Sequence, residues 1–304
     1  MPNHVAMFKP ALALAVAAFI AAPAIVPVAA PSAVAATPTT ASAKVIAYGP
    51  HRLQQMDFYD AAGDFTGPRP LIVFIHGGAW AGGDKSDSTG EAKIRHYTEA
   101  GYALASINYR LLPEVDIEDQ AADVATAVAM LRDKSGEMNI DKRRIVLMGH
   151  SAGAHLAALV ATDPQWLDTH DMRPASIAGV VLLDGPAYDV IRQISDAGPL
   201  LGLAYQIAFG SRANRQQMLS PASHVDSENA RRFLLLHVER PDARNQAIRL
   251  GNELQRSGTE AEVMDFPGRG MEGHNLLNAM LGRSDSPATK PVDAWLEQTF
   301  AQAG

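Results

Sequence analysis

A serine between glycines is the residue whose setting in this chain best suits chemistry. Gly149-His150-Ser151-Ala152-Gly153 matches the pattern G-x-S-x-G. It directly follows the apolar run Ile145–Met148 and opens the Ala/Leu-rich segment Ala152–Ala161. A tight strand–turn–helix connection of this kind exposes the serine hydroxyl, and its glycines avoid clashes that side chains would cause. Ser151 is therefore predicted to be a nucleophile; the alternative is a Gly-Ser turn that only caps a helix.

A glycine-rich loop could supply the second element of the same chemistry. His76-Gly77-Gly78-Ala79-Trp80 follows the apolar run Leu71–Ile75. Attack by a serine on a carbonyl creates a negatively charged oxygen, which preorganised backbone N–H groups stabilise. Two adjacent glycines let the backbone approach that oxygen closely. The predicted donors of this oxyanion hole are the N–H groups of Gly78, Ala79 and Ala152.

Substrate contacts are expected from aromatic residues and from a long insertion. Trp80 and Tyr188 are the candidate substrate-binding residues, with core packing an equal alternative for Trp80. Residues 184–232 contain no clear strand, and insertions after a sheet strand often build substrate walls. Within them, Leu200–Phe209 is apolar and is predicted to contain a helix, which forms either a pocket wall or packing against the core. His76, just before the glycines, is expected to orient the loop by hydrogen bonding.

Strand and helix patterns alternate around these residues. Continuous apolar runs predict buried strands, and apolar residues at helical spacing predict the helices between them. The predicted strands are Leu71–Ile75, Tyr102–Ile107, Ile145–Met148, Ala178–Leu183, Phe233–Leu236 and Ala261–Phe266. The predicted helices are Ile117–Lys134, Ala152–Ala161, Arg244–Arg256 and Val292–Phe300. The predicted fold class is α/β, with a mostly parallel sheet, helices on both faces and residues 45–304 as one domain.

The N-terminus predicts export. Lys9 precedes the apolar segment Ala11–Ala22, and the small-x-small pattern Ala33-Val34-Ala35 follows it, as in a cleaved signal peptide. Residues 1–36 are assigned to that peptide and residues 37–44 to a flexible lead-in. The apolar segment is shorter than the roughly 20 residues of a membrane-spanning helix. A secreted or periplasmic protein without stable membrane insertion after cleavage is expected.

Composition excludes several other classes of function. The 304 residues are 47% hydrophobic, carry a formal net charge of −7 and include no cysteine. Disulfides, thiolate nucleophiles and zinc–cysteine sites are therefore excluded, and no basic face for nucleic acid is visible. Neither a metal-binding H-E-x-x-H nor a phosphate-binding G-x-x-x-x-G-K-[ST] motif occurs. No metal or cofactor is expected, and the oligomeric state is left open.

Taken together, the motifs resemble those of the α/β-hydrolase superfamily. The resemblance rests on the loop at 76–80, on Gly82-Gly83-Asp84-Lys85, on Asn108-Tyr109-Arg110-Leu111 and on the segment around Ser151. It covers about residues 45–300 and is similar to the HGG-type esterase and lipase group, particularly its feruloyl-esterase-like and kynurenine-formamidase-like members. This resemblance implies hydrolysis of a small-molecule carboxylic ester through an acyl-enzyme. Amide or formamide hydrolysis and a catalytically inactive binding protein are the alternatives.

The resemblance also guides the choice of base and acid. The superfamily order is Ser, then Asp or Glu, then His, and its catalytic His follows the last strand, where this chain has His274. Asp242 follows the preceding strand and is the predicted acid. The common H-G-x-x-D pattern is altered to His237-Val238-Glu239-Arg240-Pro241-Asp242, so Glu239 is a second candidate. Asp184, which ends an earlier strand, is a third.

Overall fold

The computed structural model describes residues 42–63 and 65–304. The predicted signal peptide at 1–36, and residues 37–41 of the lead-in, lie outside the described residues. Within the described ranges, every helix is too short or too polar to span a bilayer.

One sheet organises the described part of the chain. Its eight strands lie in the order β1-β2-β4-β3-β5-β6-β7-β8. They are β1 Lys44–Ala47, β2 Gln55–Tyr59, β3 Arg69–Ile75, β4 Ala103–Ile107, β5 Ile140–His150, β6 Gly179–Leu183, β7 Arg232–Glu239 and β8 Glu260–Arg269. The β1–β2 and β2–β4 pairs are antiparallel, and the other neighbouring pairs are parallel. The mostly parallel sheet predicted from the sequence is confirmed.

Helices connect the parallel strands. They are α1 Lys85–Ser88, α2 Glu91–Glu99, α3 Ile117–Asp133, α4 Ala152–Thr162, α5 Gln165–Asp168, α6 Val190–Asp196, α7 Gly198–Phe209, α8 Ala213–Met218, α9 Pro241–Arg256, α10 Gly270–Met280 and α11 Thr289–Ala303. The segment between β6 and β7 forms the short helices α6, α7 and α8 and a 3-10 turn at Pro221–Ser223. The predicted helix within Leu200–Phe209 is therefore present as part of α7.

The apolar core lies on both faces of the sheet. In β3, Leu71 and Val73 pack into one cluster with residues of α3, α4 and α9, whereas Ile72 and Phe74 pack into another with residues of α2 and α11. Successive strand residues point to opposite faces, so a strand covered on both faces must be apolar throughout. This is why the central strands could be recognised as continuous apolar runs.

The parallel strands bring distant sequence segments to one edge of the sheet. Strands β3, β5, β6, β7 and β8 run in the same direction, so the segments that follow them meet beyond their carboxyl ends. Open α/β sheets generally bind ligands at this edge. The candidate residues at 76–80, 151, 184, 242 and 274 all follow these strands.

Candidate active site

Ser151 lies at a sharp turn between β5 and α4. Its backbone angles are φ 55° and ψ −121°, a conformation that non-glycine residues rarely adopt and that is often found at functional sites. A Cβ atom on Gly149 would overlap the Gly153 carbonyl, and a Cβ atom on Gly153 would overlap the Ile75 carbonyl. The strand–turn–helix context predicted for Ser151 is present, and both flanking positions require glycine.

His274 lies in the first turns of α10 and is bonded to a carboxylate. Its Nδ1 is 2.6 Å from Oδ2 of Asp184, which directly follows β6. A carboxylate accepts hydrogen bonds but donates none, so Nδ1 carries the proton and Nε2 keeps its lone pair. Ser151 and His274 line the same cavity. Within the described ranges the Ser151 hydroxyl makes no hydrogen bond; such catalytic contacts often form only when substrate is bound.

The prediction that Asp242 is the partner of His274 is corrected by these contacts. Asp242 occupies the first turn of α9, and its Oδ2 lies 3.3 Å from Nη1 of Arg240. The second candidate, Glu239, forms an exposed ion pair with Arg269 at 2.6 Å. The third candidate, Asp184, is the residue that reaches His274. The reason is local: with φ 46°, Asp184 turns off the end of β6 toward the final connection, whereas helix α9 holds Asp242 beside Arg240.

All contacts of the Asp184 carboxylate come from donors. Oδ1 accepts the Val238 N–H at 3.2 Å, and Oδ2 accepts Nε of Arg240 at 3.0 Å as well as Nδ1 of His274. Burial alone would raise the pKa of Asp184, but the His274 hydrogen bond and the Arg240 charge outweigh it and lower that pKa. Asp184 is therefore ionised at neutral pH.

His274 is itself held in the neutral form. Burial lowers its pKa and is the largest influence; the hydrogen bond to Asp184 opposes it, and the positive charge of Arg240 reinforces it. The net result is a pKa below the ordinary histidine value. A neutral imidazole with a free Nε2 is the form that can accept a proton from a hydroxyl.

A second imidazole lies against His274. The ring centroids of His150 and His274 are 4.4 Å apart with 34° between the planes. Nε2 of His150 donates to the His274 carbonyl oxygen at 3.2 Å. Burial, and then the neighbouring His274, lower the pKa of His150 well below its ordinary value. His150 therefore supports the ring and the backbone of His274 without adding a charge.

The glycine-rich loop packs directly against the nucleophile. A Cβ atom on Gly77 would come within 3.0 Å of the Ser151 Cβ atom. Within the described ranges, the N–H groups of the predicted donors Gly78, Ala79 and Ala152 form no hydrogen bond. Gly78 has φ 120°, and a Cβ atom there would overlap the Gly82 backbone. The three N–H groups are available to an oxygen bound beside Ser151.

His76 holds this loop in place. Its Nδ1 donates to the Gly77 carbonyl oxygen at 2.7 Å, and its ring stacks on Tyr109 at 4.4 Å between centroids. The Tyr109 hydroxyl donates to the His76 carbonyl at 2.9 Å. Burial lowers the pKa of His76 to about 4. The expectation that His76 orients the loop by hydrogen bonding is confirmed.

The cavity at this site has a volume of about 320 Å³. Besides Ser151 and His274, its walls come from the glycine-rich loop, from α1 and from α10. The full lining is Gly77, Gly78, Ala79, Gly83, Ser88, His150, Ser151, Met271, His274, Asn275 and Asn278. Among the described residues, no set of three or more His, Asp or Glu could hold a metal ion.

Comparison with known proteins identifies the family. The BD-FAE family model matches residues 56–243, which is more than half of the chain and extends from within β2 to the start of α9. The chain belongs to the BD-FAE family. The match includes the glycine-rich loop, Ser151 and Asp184, whereas His274 lies beyond it.

Curated relatives of this BD-FAE chain are named as esterases. A probable isoprenylcysteine alpha-carbonyl methylesterase, ICMEL1 of Arabidopsis thaliana, is 35% identical over 79% of this chain and 53% of its own length. Esterase LipC of Mycobacterium tuberculosis is 27% identical over 83% of this chain and 64% of its own length. The chain thus spans between about half and two thirds of these relatives.

Solved structures share the fold. Esterase B of Lactobacillus rhamnosis aligns with a TM-score of 0.71 and 20% identity, covering 88% of this chain and 87% of its own. Esterase 2 of Thermogutta terrifontis aligns with a TM-score of 0.68 and 20% identity, covering 88% and 96%. With the sheet order above, these likenesses confirm the α/β-hydrolase fold expected from the sequence.

The two predicted substrate-binding residues are buried in the BD-FAE core. The Trp80 indole donates to Nδ1 of His155 at 3.3 Å and packs edge-to-face on Tyr205 and Phe209. Tyr188 is buried in the same apolar cluster. Neither residue lines the cavity that contains Ser151, so the packing alternative applies to Trp80 and the substrate role of Tyr188 is corrected. The Trp80 indole is buried because it packs against Tyr205 and Phe209 of α7.

Sequence reasoning missed two neighbours of the candidate triad. Nothing in the sequence around Arg240 indicates burial, and only the fold places its guanidinium on Asp184. His150 stands at the variable position of the G-x-S-x-G pattern, which by itself predicts no contact with His274. The sequence does carry an indication for Asp184, which follows the wholly apolar strand Gly179–Leu183. A carboxylate buried at the end of such a strand is costly unless hydrogen-bond or charge partners face it, so its position indicates a partnered site.

Proposed function

We propose that this chain is a serine carboxylic-ester hydrolase in which Ser151, His274 and Asp184 act as nucleophile, base and acid. The observation that carries the proposal is the buried Asp184–His274 hydrogen bond of 2.6 Å, whose histidine lines the same cavity as Ser151. The free N–H groups of the adjacent loop add to it. The same arrangement of roles recurs in serine hydrolases on unrelated folds.

The proposed reaction begins when Ser151 Oγ attacks the ester carbonyl carbon and its proton moves to Nε2 of His274. The imidazolium that forms is stabilised by the Asp184 carboxylate. The tetrahedral intermediate then expels the alcohol, which takes the proton from Nε2 and leaves an acyl-enzyme. Water attacks the acyl carbon while Nε2 accepts its proton. The second tetrahedral intermediate then breaks its bond to Ser151 Oγ, which takes the proton from Nε2 as the carboxylic acid leaves.

The negatively charged oxygen of each tetrahedral intermediate is assigned to the N–H groups of Gly78, Ala79 and Ala152. Backbone donors fixed before the reaction stabilise this charge without reorganisation, and loss of one donor typically costs about 100- to 1,000-fold in rate. Ala152 is the first residue of α4, so the positive end of the helix dipole adds to the effect.

The proposed substrates are small esters. A cavity of about 320 Å³ lies at the small end of ligand pockets, which range from about 300 to 1,000 Å³. Its walls combine glycine-rich backbone with Ser88, Asn275 and Asn278 rather than a long apolar channel. The relatives' names, a methylesterase and an esterase, support ester over amide substrates.

Active-site labelling tests the proposal. We expect a fluorophosphonate probe to label the wild-type protein at Ser151 and to leave S151A unlabelled, with thermal unfolding unchanged within a few degrees. Hydrolysis of p-nitrophenyl acetate and butyrate should be lost in S151A, and activity should fall as the acyl chain lengthens. Labelling of S151A, or esterase activity that survives in it, would show that another residue is the nucleophile.

The substrate panel also decides the bond type. Feruloyl esters and N-formylkynurenine are added to the p-nitrophenyl series at matched concentrations. Turnover of the formamide at a higher kcat/KM than every ester would assign amide chemistry to the same triad and overturn the ester proposal.

Export is a separate proposal. The segment 1–36 is proposed to direct secretion to the periplasm or medium and to be cleaved near Ala33-Val34-Ala35. N-terminal sequencing of the protein recovered outside the cytoplasm should give a start between residues 34 and 38. Recovery of a chain that retains Met1 would overturn this proposal.

A further inference from the structure

A buried guanidinium is bound to the proposed catalytic carboxylate. Nε of Arg240 donates to Oδ2 of Asp184 at 3.0 Å, and Nη2 donates to the Asp184 main-chain carbonyl at 3.0 Å. The exposed fractions of the two side chains are 9% and 0%. Asp184 Oδ2 also accepts the hydrogen bond from Nδ1 of His274. Arginine and histidine therefore share one acceptor atom.

Because Arg240 and His274 donate to the same oxygen, Arg240 affects how strongly Asp184 stabilises the protonated form of His274. In a serine hydrolase the acid orients the imidazole and stabilises the imidazolium that forms during turnover. A permanent positive charge on the same oxygen fixes the carboxylate but repels that imidazolium. At a separation of a few ångströms in a buried site, such a charge shifts a neighbouring titration by about one unit or more.

Asp242 partly balances Arg240. Its Oδ2 is 3.3 Å from Nη1 of Arg240, whereas Asp184 is bound by Nε and Nη2 of the same guanidinium. Asp242, Arg240 and Asp184 thus form a row of alternating charges, and the last of them is bonded to the neutral ring of His274. Removal of either of the first two members of this row should move the protonation of His274, in opposite directions.

Other groups facing this row come from several elements. His150 of β5 stacks on His274, and its neutral ring adds no charge there. Lys93 of α2 acts electrostatically on His150 from the interior. Tyr188 and Tyr205 face Asp184 and Arg240, and burial raises the pKa of both phenols far from neutrality. Arg240 and Asp242 are therefore the two charges beyond Asp184 that act most directly on His274.

We propose that Arg240 is a positioning residue that fixes the Asp184 carboxylate and keeps His274 unprotonated, and so able to act as a base, in more acidic solution than the Asp184–His274 pair alone would allow. This inference rests on the proposed function, because it assigns Arg240 its role through the base of that reaction. The row of hydrogen bonds and ion pairs carries it, and the lowered pKa of His274 agrees with it.

Four variants test the proposal. R240Q removes the charge, R240K retains a charge without the fork of donors, and D242N removes the balancing charge. R269Q is the matched control, since Arg269 is exposed on the same sheet edge and pairs with Glu239. Two quantities are measured for each variant. One is the pH at which kcat/KM for p-nitrophenyl acetate falls to half on the acid side. The other is the NMR titration of the His274 ring, assigned by comparison with H274Q.

The expected shifts have definite signs. Loss of the positive charge in R240Q favours the imidazolium, so both midpoints should rise by about one pH unit or more. Loss of the negative charge in D242N should lower both midpoints by a smaller amount. R240K should stay close to wild type in midpoint while losing kcat at every pH, and R269Q should match wild type throughout.

The opposite outcomes are equally clear. If R240Q loses activity by the same factor at every pH and both titration midpoints stay at their wild-type values, Arg240 only supports the structure and the proposal is overturned. If R240Q fails to fold, an unmoved midpoint in D242N overturns it instead. The NMR titration does not depend on turnover. If the protein hydrolyses no ester, the proposed function is refuted, and the NMR midpoint of His274 in R240Q still decides the role of Arg240.

Discussion

Replacement of Asp184 by asparagine is the sharpest test of which carboxylate serves His274. All three side-chain contacts of Asp184 are donors, namely the Val238 N–H, Arg240 Nε and His274 Nδ1. An asparagine must place its own NH₂ group against at least one of them. If it faces His274, the ring is driven to the other tautomer, which carries its proton on Nε2 and cannot accept one from Ser151.

The expected loss is large and specific to turnover. The equivalent change in a serine protease triad lowers kcat by about 10⁴-fold, which corresponds to about 5 kcal/mol of activation free energy. We expect a loss of this order for D184N in kcat for p-nitrophenyl acetate at pH 8. KM should change by far less, since the lost interaction strengthens only as the imidazolium forms.

Two further variants separate the three carboxylates. D242N changes only a neighbour of Arg240 and should cost less than about tenfold, equivalent to about 1.4 kcal/mol. E239Q breaks an exposed ion pair and should behave as wild type. Near-ultraviolet circular dichroism and thermal melting report whether each variant is folded. A loss of 10³-fold or more in D242N, with D184N within tenfold of wild type, would refute the assignment of Asp184.

Three other predictions concern the groups that support the site. G153A should lose at least about 3 kcal/mol of unfolding free energy, because the added methyl overlaps carbonyls at the end of β3; G136A, where a Cβ meets open space, is the control, and equal melting temperatures would refute the argument. Burial lowers the pKa of Lys93 to about 7, so wild-type stability should rise between pH 7 and 10.5 by up to about 1.4 kcal/mol per pH unit. In K93M, the free energy of unfolding measured by urea titration should no longer rise over this pH range, and at pH 7 it should exceed that of the wild type. A free energy of unfolding that still rises with pH in K93M would contradict this prediction. H150F keeps an aromatic ring beside His274 but removes the hydrogen bond from His150 to the His274 carbonyl oxygen. We expect kcat to fall by up to about tenfold, and an unchanged kcat would show that this hydrogen bond does not support His274.

The sheet could be predicted from the sequence because burial on two faces leaves a simple pattern. Leu71–Ile75 and Ala178–Leu183 are continuous apolar runs, and each corresponds to a central parallel strand. The antiparallel strands Lys44–Ala47 and Gln55–Tyr59 were missed. The first is largely exposed, and the second carries a charged residue within it. Neither therefore shows the uninterrupted apolar run that marked the others.

The acid could not be chosen from the sequence for a geometric reason. Strands β6 and β7 are neighbours in the sheet, with Leu183 opposite Leu236, so carboxylates following either strand arrive at the same edge. Which one meets His274 depends on backbone angles in the connections. Asp184 turns toward the site at φ 46°, whereas Asp242 is fixed in the first turn of a helix. Spacing alone does not encode that difference.

The residues of the proposed triad lie apart from the insertion between β6 and β7. Ser151, His274 and Asp184 stand on connections that directly follow β5, β8 and β6, and the cavity walls beside them come from α1 and α10. The insertion helices instead bury their aromatic residues against Trp80. Substitutions that disturb this packing should therefore alter stability more than substrate choice. Asn275 and Asn278 on α10 line the cavity and are the positions where a change should alter specificity.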